Sequence, residues 1–312
     1  MTAAKERAIR LFDRSVEPPR RLLVPVPAAP NRDGAGQVEV SEQIVSLIAP
    51  DSFEADQYRT LRHSMEWRRK ESGLQVLAVT SAGPGDGKTT TTLNLAGALA
   101  QGPGARVLVI DADLRRPSVT GYLGLGALSS PGLADALVNP SYNLRRTTRR
   151  VDAFNLSVLP AGAPQRAPYE LLNSPRLEEL LREARDLYDF VLVDTPPLVP
   201  LPDCRLIGKW VDGFLVVVGA HKTPRRLLAE ALHLLDPAKV IGLVFNGDDR
   251  PTFGYYGYYD YYLTPRNRRR GGWRRWFGSA TGRENRFLIS RRRSGACART
   301  CTSGCWRTTG AS

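Results

Sequence analysis

Residues 76–100 have the sequence VLAVTSAGPGDGKTTTTLNLAGALA, and this stretch decides the fold. It starts with a short apolar run at Val76–Val79, continues through a glycine-rich loop at Ala82–Thr89, and ends in a helix-forming segment at Thr90–Ala100. The loop has the spacing of a phosphate-binding loop, except that Ala82 replaces the first glycine. A strand, a loop and a helix in this order predict a nucleotide-binding domain and disfavour a purely structural glycine turn.

Each part of this loop has a chemical role in the prediction. The backbone N–H groups and the amino end of the helix would surround the nucleotide phosphates. Lys88 would neutralise the phosphates, and the Thr89 hydroxyl would reach Mg²⁺. The predicted nucleotide-binding residues of the loop are Gly83, Pro84, Gly85, Asp86, Gly87, Lys88, Thr89 and Thr90.

Two further apolar runs end in carboxylates. Asp111 and Asp113 follow the run at Val107–Ile110, and Asp194 follows the run at Phe190–Val193. The carboxyl ends of parallel strands open into the ligand crevice of a sheet, so these side chains are candidates for acid–base work or for holding the water shell of a magnesium ion. An aspartate at a strand end can also simply cap a turn, but the phosphate loop favours the functional interpretation.

Short apolar runs alternate with helical segments through the middle of the chain, which predicts an α/β fold: a mainly parallel sheet covered by helices on both faces. We expect one domain, with Ser52 as the N-cap of its first helix and with Pro175 and Pro224 each following a capping hydroxyl. The predicted strands are Leu74–Val79, Val107–Ile110, Leu156–Leu159, Phe190–Val193, Phe214–Val218 and Val240–Phe245, and the predicted helices are Ser52–Lys70, Thr89–Ala100, Pro175–Tyr188 and Pro224–Leu235.

Composition divides the chain into four parts. We predict a flexible Pro/Arg-rich extension at 1–50, the folded domain at 51–250, a tyrosine-rich cluster at 251–263 and a basic, disordered tail at 264–312. Thirteen arginines and one acid give the tail a charge of 13 − 1 = +12, so the other residues carry only 13 − 12 = +1 of the total. A nearly neutral domain does not indicate nucleic-acid binding, whereas the tail suits an anionic membrane surface or plain solvent.

Three cysteines of this tail, Cys297, Cys301 and Cys305, repeat at a spacing of four. They match no usual four-ligand zinc pattern, and neighbouring glycines oppose a stable helix, so a metal site is disfavoured. The chain shows no apolar run long enough to cross a bilayer and no secretory signal, which predicts a cytoplasmic location.

Tyrosines cluster after the last predicted strand: six of the eleven lie within eight residues. Such a run alone is typical of an adhesive low-complexity segment, and a phosphate loop alone indicates only a nucleotide. Together they suggest an enzyme that phosphorylates its own tail. The predicted acceptors are Tyr255, Tyr256, Tyr258, Tyr259, Tyr261 and Tyr262.

The loop and the two acidic strand ends together resemble the deviant-Walker P-loop ATPases, and more closely the bacterial tyrosine kinase family of polysaccharide export. The resemblance extends over about residues 52–262. It is carried by VTSAGPGDGKTTTTLNLA, VLVIDADLRRPS, GLADAL, LSVLPAG, PYELLNSPRLEELL, FVLVDTPP and VIGLVFNG.

The resemblance implies Mg²⁺-dependent phosphoryl transfer from ATP to tyrosine. In that family Lys88 and Thr89 would serve phosphate and Mg²⁺, with Asp111 and Asp113 at the catalytic centre and either of the two accepting the tyrosine proton. The resemblance also implies metal contacts, partly through water, for Thr89, Asp113 and Asp194. Asn246, after the last strand, resembles an adenine-contacting asparagine of the wider group.

The same resemblance implies assembly and a partner. Asp56, Arg59 and Arg62 match a self-association motif with aspartate in place of glutamate, which implies a homo-oligomer. The implied partner is a membrane-bound chain-length-determinant protein, a separate chain that activates the kinase at the inner membrane during exopolysaccharide or capsule production.

The alternative is a partition-type positioning ATPase that acts as a nucleotide switch without kinase activity. Two features disfavour it. Such ATPases place a lysine where this chain has Gly83, and they do not end in tyrosine runs.

Overall fold

A mainly parallel β-sheet is the centre of the fold in the computed structural model, which describes residues 21–24, 38–125, 131–165, 167–248 and 299–301. The sheet order is β10-β9-β8-β3-β7-β4-β6-β5, parallel from β9 to β6, with β10 and β5 antiparallel at the edges and β1–β2 forming a separate antiparallel pair. The strands are β1 (Arg21–Val24), β2 (Val38–Ser41), β3 (Val76–Ser81), β4 (Val107–Asp111), β5 (Arg149–Val151), β6 (Leu156–Leu159), β7 (Phe190–Asp194), β8 (Gly213–Gly219), β9 (Val240–Asn246) and β10 (Arg299–Cys301).

Helices cover both faces of this sheet, which confirms the predicted α/β class. All six residues of β3 are buried, and alternate side chains enter opposite layers. Leu77 and Val79 pack in the core with α2 and α3, whereas Val76 and Ala78 pack in the core with α5 and α8. The helices are α1 (Val45–Ile48), α2 (Phe53–Ser72), α3 (Lys88–Ala100), α4 (Val119–Tyr122), α5 (Leu133–Val138), α6 (Leu144–Thr147), α7 (Pro168–Leu172), α8 (Pro175–Leu187), α9 (Asp203–Ile207) and α10 (Arg225–His233), with 3-10 turns at Asp152–Phe154 and Pro237–Lys239.

The strand register brings the carboxylate-bearing ends together. β7 lies between β3 and β4, and Asp111 is directly opposite Asp194 in the β4–β7 pairing. The phosphate loop leaves the carboxyl end of β3, on the other side of β7. The three motifs that are distant in sequence therefore meet at one edge of the sheet, as expected for parallel strands.

Helix α2 confirms the predicted N-terminal cap. The Ser52 Oγ accepts a hydrogen bond from Ala55 N at 3.1 Å, and the helix ends at Gly73, which has the left-handed φ of 71°. Tyr58 and Leu61 are buried on the face toward the core. Acids in the first turn and basic residues in the last turn complement the helix dipole.

The folded domain starts earlier than residue 51, so the predicted boundary is wrong there. Val40 and Ile44 are fully buried, and Asn94 of α3 binds this segment through Ser46 N at 2.9 Å and Gln43 O at 2.8 Å. Residues 38–48 form a short segment of mixed polarity, which shows no strong sequence pattern. Its packing depends on helix α3, which follows about 50 positions later in the chain. Residues 1–20 and 25–37 lie outside the described residues.

The two predicted helix starts with proline have different outcomes. Ser174 is the N-cap residue of α8 and Pro175 follows it, as predicted, but the Ser174 side chain makes no cap hydrogen bond. At α10 the prediction is wrong. Thr223 instead accepts from Gly219 N at 2.9 Å, and Pro224 occupies the N-cap position of α10.

The tyrosine cluster at 255–262 and most of the tail, including Cys297 and Cys305, lie outside the described residues. In the part of the chain that is described, no helix has the length and apolar character needed to cross a membrane.

Candidate active site

The phosphate loop depends on glycine at two positions. Gly85 and Gly87 have φ values of +77° and +91°, in the region that residues with a side chain rarely adopt. A side chain on Gly87 would also collide with the amide of Asn246. Helix α3 begins directly after Gly87, so its first N–H groups, which have no acceptor within the helix, lie beside the loop. This geometry is that of an anion-binding helix start.

A largely covered lysine lies among carboxylates at the end of the loop. Lys88 Nζ donates to Asp113 Oδ2 at 3.1 Å, and the two side chains are only 14% and 5% exposed. Burial lowers the pKa of Lys88, but the charges of Asp194 and Asp113 raise it by more, so the net pKa is above the usual value. Lys88 is therefore a permanent positive charge at the end of the loop.

The next residue of the loop connects α3 to β7. The Thr89 hydroxyl donates to Asp194 Oδ2 at 2.6 Å and lies 3.0 Å from the Ser118 Oγ. The Thr92 hydroxyl is 3.3 Å from Asp194 Oδ1. Burial raises the pKa of Asp194 to about 6, against the opposing effect of Lys88. The loop threonine and the third acid, both predicted to serve Mg²⁺, are therefore in direct contact, and their metal role stays a prediction.

Asp111 is fully buried beside this group. Its Oδ2 accepts hydrogen bonds from Ser118 N at 3.0 Å and Val119 N at 3.1 Å, and its Oδ1 accepts from Asp113 N at 3.3 Å. Burial, followed by the neighbouring charge of Asp194, raises the pKa of Asp111 to about 7. A carboxylate with such a pKa suits proton transfer near neutral pH.

The oxygen atoms at this edge fit a magnesium ion. Within the described ranges, no three His, Cys, Asp or Glu side chains form a ready cluster for a metal. Magnesium keeps several waters and usually takes one or two carboxylates together with phosphate oxygens, so a closed protein cage is not required. Thr89, Asp194 and Asp113 supply the hydroxyl and carboxylate oxygens that would hold it.

Two side chains, one at the end of β9 and one in the turn after β8, contact the loop. Asn246 Nδ2 donates to Asp86 O at 3.1 Å, and Lys222 Nζ donates to Gly85 O at 3.0 Å. The Asn246 Oδ1 is buried, and within the described residues it has no hydrogen-bond partner. This free acceptor is consistent with the predicted contact of Asn246 to an adenine amino group. Sequence reasoning did not identify Lys222, because its contact with the loop depends on the turn between β8 and α10.

Sequence reasoning also missed an ion pair near the acids at the end of β4. Arg115 binds Asp203 through two contacts, Nε–Oδ2 at 2.6 Å and Nη2–Oδ1 at 3.2 Å. The Asp203 side chain is only 1% exposed, whereas that of Arg115 is 38% exposed. The position of Arg115 two residues after Asp113 was the available signal.

The predicted self-association motif on α2 has partners within its own chain. Arg59 pairs with Asp56. Arg62 Nε is 2.7 Å from Glu66 Oε1, and its Nη1 donates to Ala98 O at the end of α3 at 3.1 Å. The three motif side chains are partly exposed. Assembly through them therefore stays a prediction.

Comparisons with known proteins agree with this geometry. The AAA domain family matches residues 74–204. The tyrosine-protein kinase YwqD of Bacillus subtilis is 34% identical over 222 residues, which cover 70% of this chain and 92% of that protein. The succinoglycan biosynthesis transport protein ExoP of Rhizobium meliloti is 32% identical over 221 residues, or 69% of this chain and only 28% of ExoP. The chain thus spans nearly all of one relative and under a third of the other.

Among solved structures, the kinase domain of the Escherichia coli tyrosine kinase ETK is similar at a TM-score of 0.60 and 28% identity, covering 68% of this chain and 81% of that one. The Bacillus kinase is matched across almost its whole length. For these reasons the chain belongs to the bacterial tyrosine kinase family and is a protein-tyrosine kinase on a P-loop ATPase fold.

Proposed function

We propose that this kinase uses Mg²⁺ and ATP to phosphorylate its own C-terminal tyrosine cluster, and that this modification regulates exopolysaccharide or capsule export. The observation that carries the proposal is the contact of Lys88 with Asp113 at 3.1 Å, beside the pairing of Thr89 with Asp194. One cation, a hydroxyl and several carboxylates at a helix start are the parts that phosphoryl transfer requires. The name of ExoP, a succinoglycan transport protein, supports the link to polysaccharide export.

Lys88 supplies positive charge where the transferring phosphoryl group becomes more negative. Its ammonium can exchange the Asp113 carboxylate for a phosphate oxygen, because both are anionic acceptors within reach of one flexible side chain. The first N–H groups of α3 hold the other phosphate oxygens. Magnesium, held by Thr89 and the carboxylates, would neutralise charge on the phosphates.

The transfer forms a bond between phosphorus and the tyrosine oxygen and breaks the bond between phosphorus and the bridging oxygen of ADP. The tyrosine proton goes to one of two neighbouring carboxylates, Asp111 or Asp113. The pKa of about 7 at Asp111 favours proton uptake, whereas Asp113 already binds Lys88. Kinetics of variants of Asp111 and Asp113 distinguish the two roles. A variant that lacks the proton acceptor loses one limb of the pH–rate profile, whereas a variant that lacks a metal contact needs more magnesium for the same rate.

We propose that the tail is delivered between copies. Tyr255 is nine residues after Asn246, which itself contacts the phosphate loop, so chain length permits transfer within one copy as well as between copies, and assembly would favour the second route. Assembly through Asp56, Arg59 and Arg62 would bring one tail to the next active site. A separate membrane-bound activator would place this cytoplasmic assembly at the inner membrane, and the basic tail would add contact with anionic lipid.

The test is incubation of the purified chain with ATP and Mg²⁺, followed by mapping of phosphotyrosine by mass spectrometry. Label on residues 255–262, absent in Lys88→Met, supports the proposal. A variant with all six cluster tyrosines changed to phenylalanine controls for other acceptors. ATP hydrolysis without any label would instead favour the positioning ATPase.

A further inference from the structure

A depression of about 420 Å³ lies at the edge of the sheet opposite the active site. Its lining includes Val107 and Ser157, which are at or near the amino-terminal starts of β4 and β6. Asp111 ends β4 four residues later, roughly 13 Å away at the usual rise of a strand. The depression is therefore separate from the crevice that holds Lys88.

The chemistry of the lining is basic on one side and apolar on the other. Arg106, Arg145 and Arg150 line it, and no aspartate or glutamate is among the lining residues. Leu187 and Tyr188 form part of the remaining wall. Pockets of a few hundred Å³ with a few convergent polar groups are typical of small-ligand sites.

Two of the arginines are oriented by hydrogen bonds to neighbouring side chains. Arg106 binds Asp189 through Nε at 3.2 Å and through Nη2 at 3.1 Å. Arg150 binds Asp152 through Nε at 2.6 Å and Asn155 Oδ1 through Nη2 at 3.0 Å. In the described residues neither Nη1 group makes a hydrogen bond, so each guanidinium keeps donors for a ligand.

Asn155 is the residue that fixes this arrangement. It has a left-handed φ of 52°, a conformation that asparagine tolerates better than most residues. Its Nδ2 lies 3.3 Å from both Ala100 O and Ala105 O, while its Oδ1 accepts from Arg150. One side chain thus ties the end of α3, the loop before β4 and Arg150 together.

The third arginine of the lining is Arg145. Arg145, on α6, is exposed and makes neither a hydrogen bond through its side chain nor an ion pair within the ranges that the structure describes. An arginine fork of this kind matches the oxygens of a phosphate group.

We propose that this depression binds phosphotyrosine, the product of the kinase. The three arginines would hold the phosphate, as they do in phosphate-recognition sites generally, and the wall at Leu187 and Tyr188 would contact the aromatic ring. The proposal rests on the tyrosine kinase activity but not on which tyrosine accepts phosphate. Because the site lies at the opposite edge of the sheet, product binds there while a nucleotide occupies the active site.

The experiment titrates the full chain with O-phospho-L-tyrosine by calorimetry in saturating MgADP, with tyrosine and inorganic phosphate as comparison ligands. We expect phosphotyrosine to bind, tyrosine not to bind, and phosphate to bind at least tenfold more weakly. Arg145→Ala should weaken binding at least fivefold. Arg146→Ala, the same charge change at the next position of α6 and outside the lining, should alter it less than twofold.

Three results would overturn the site: no binding, binding abolished by MgADP, or equal weakening in the two arginine variants, which would indicate only general electrostatic attraction. Since both arginines are exposed, neither substitution should disturb folding, and circular dichroism checks this. A phosphorylated peptide of residues 251–263 identifies the source. Tighter binding than free phosphotyrosine assigns the site to the kinase's own tail, and equal binding assigns it to phosphotyrosine regardless of sequence.

Discussion

We expect the two partners of the Arg115–Asp203 ion pair to differ in how much their substitution lowers stability and activity. The ion pair joins the loop after β4 to the start of α9, two residues from Asp113. The buried partner is the acid, at 1% exposure, whereas the guanidinium is 38% exposed. We therefore expect Arg115→Ala to be more damaging than Asp203→Asn, because water can replace the partner of the arginine but cannot reach the aspartate.

The magnitudes follow from the same geometry. Removing Arg115 leaves a buried carboxylate without its counter-ion, which costs about 3 kcal/mol, near the low end of the range for broken buried pairs because Arg115 is partly hydrated. Asp203→Asn keeps the shape and one acceptor oxygen and removes a charge-assisted contact, which costs about 1.5 kcal/mol. In the double variant the coupling energy should be about 1–2 kcal/mol, because each single change already breaks the pair.

Urea denaturation of the wild type, the two single variants and the double variant measures these values. Kinase assays on the same four proteins should show a fall in kcat for Arg115→Ala, since the loop that carries Asp113 loses its attachment to α9. Arg205→Ala, an exposed arginine two residues after Asp203, is a control for a simple loss of charge. Equal costs of the two single variants, or additive costs in the double variant, would refute the reasoning.

Three other predictions concern the active site and the assembly. Lys88→Met should lower autophosphorylation at least 100-fold, as expected for losing one charge-stabilising group, with an unchanged circular dichroism spectrum; retained phosphotyrosine on an immunoblot would contradict the site. The pKa of Asp111 is about 7 in the folded chain and 3.8 as its ordinary value, so folding favours the protonated carboxyl group. This contribution to stability is complete below pH 4 and is lost as pH rises through 7, and EDTA in the assay keeps metal from obscuring it. Asp111→Asn should therefore remove about 1 kcal/mol of the stability loss between pH 6 and 7 in urea titrations, and an unchanged slope would speak against the raised pKa. Arg59→Ala/Arg62→Ala should give smaller species by light scattering and weaker autophosphorylation, and a Lys88→Met chain should be labelled by an active chain that lacks the cluster tyrosines; labelling only in cis would refute transfer between copies.

Much of the fold was predictable because its determinants are local. The burial of all of β4 and β7 is visible in the sequence as VLVI and FVLV, because parallel strands covered on both faces typically have such uninterrupted apolar runs. The loop spacing predicted where phosphate-binding groups would stand. Ser52 predicted the start of α2 because a cap acts over three residues.

Long-range partners were not predictable, because nothing within a segment specifies what packs against it. Residues 38–48 look like part of a flexible extension until Asn94 is placed beside them. The hydroxyl of Thr223 binds Gly219 rather than capping a helix, since the turn after β8 offers a closer donor. Arg62 matches an assembly motif in sequence and nevertheless also binds the carbonyl of Ala98 in its own chain.

The sequence by itself determined the strand–loop–helix unit, the parallel sheet and the identity of the chemical groups, because periodicity and loop spacing act over a few residues. Only the tertiary structure decided which groups meet. The strand order β3-β7-β4 brings Asp111 opposite Asp194, Lys88 within 3.1 Å of Asp113, and Arg115 onto Asp203. It also gathers the arginines of the opposite edge around one depression. Strand order is a property of the whole packed chain, because it minimises exposed apolar surface over all the elements at once.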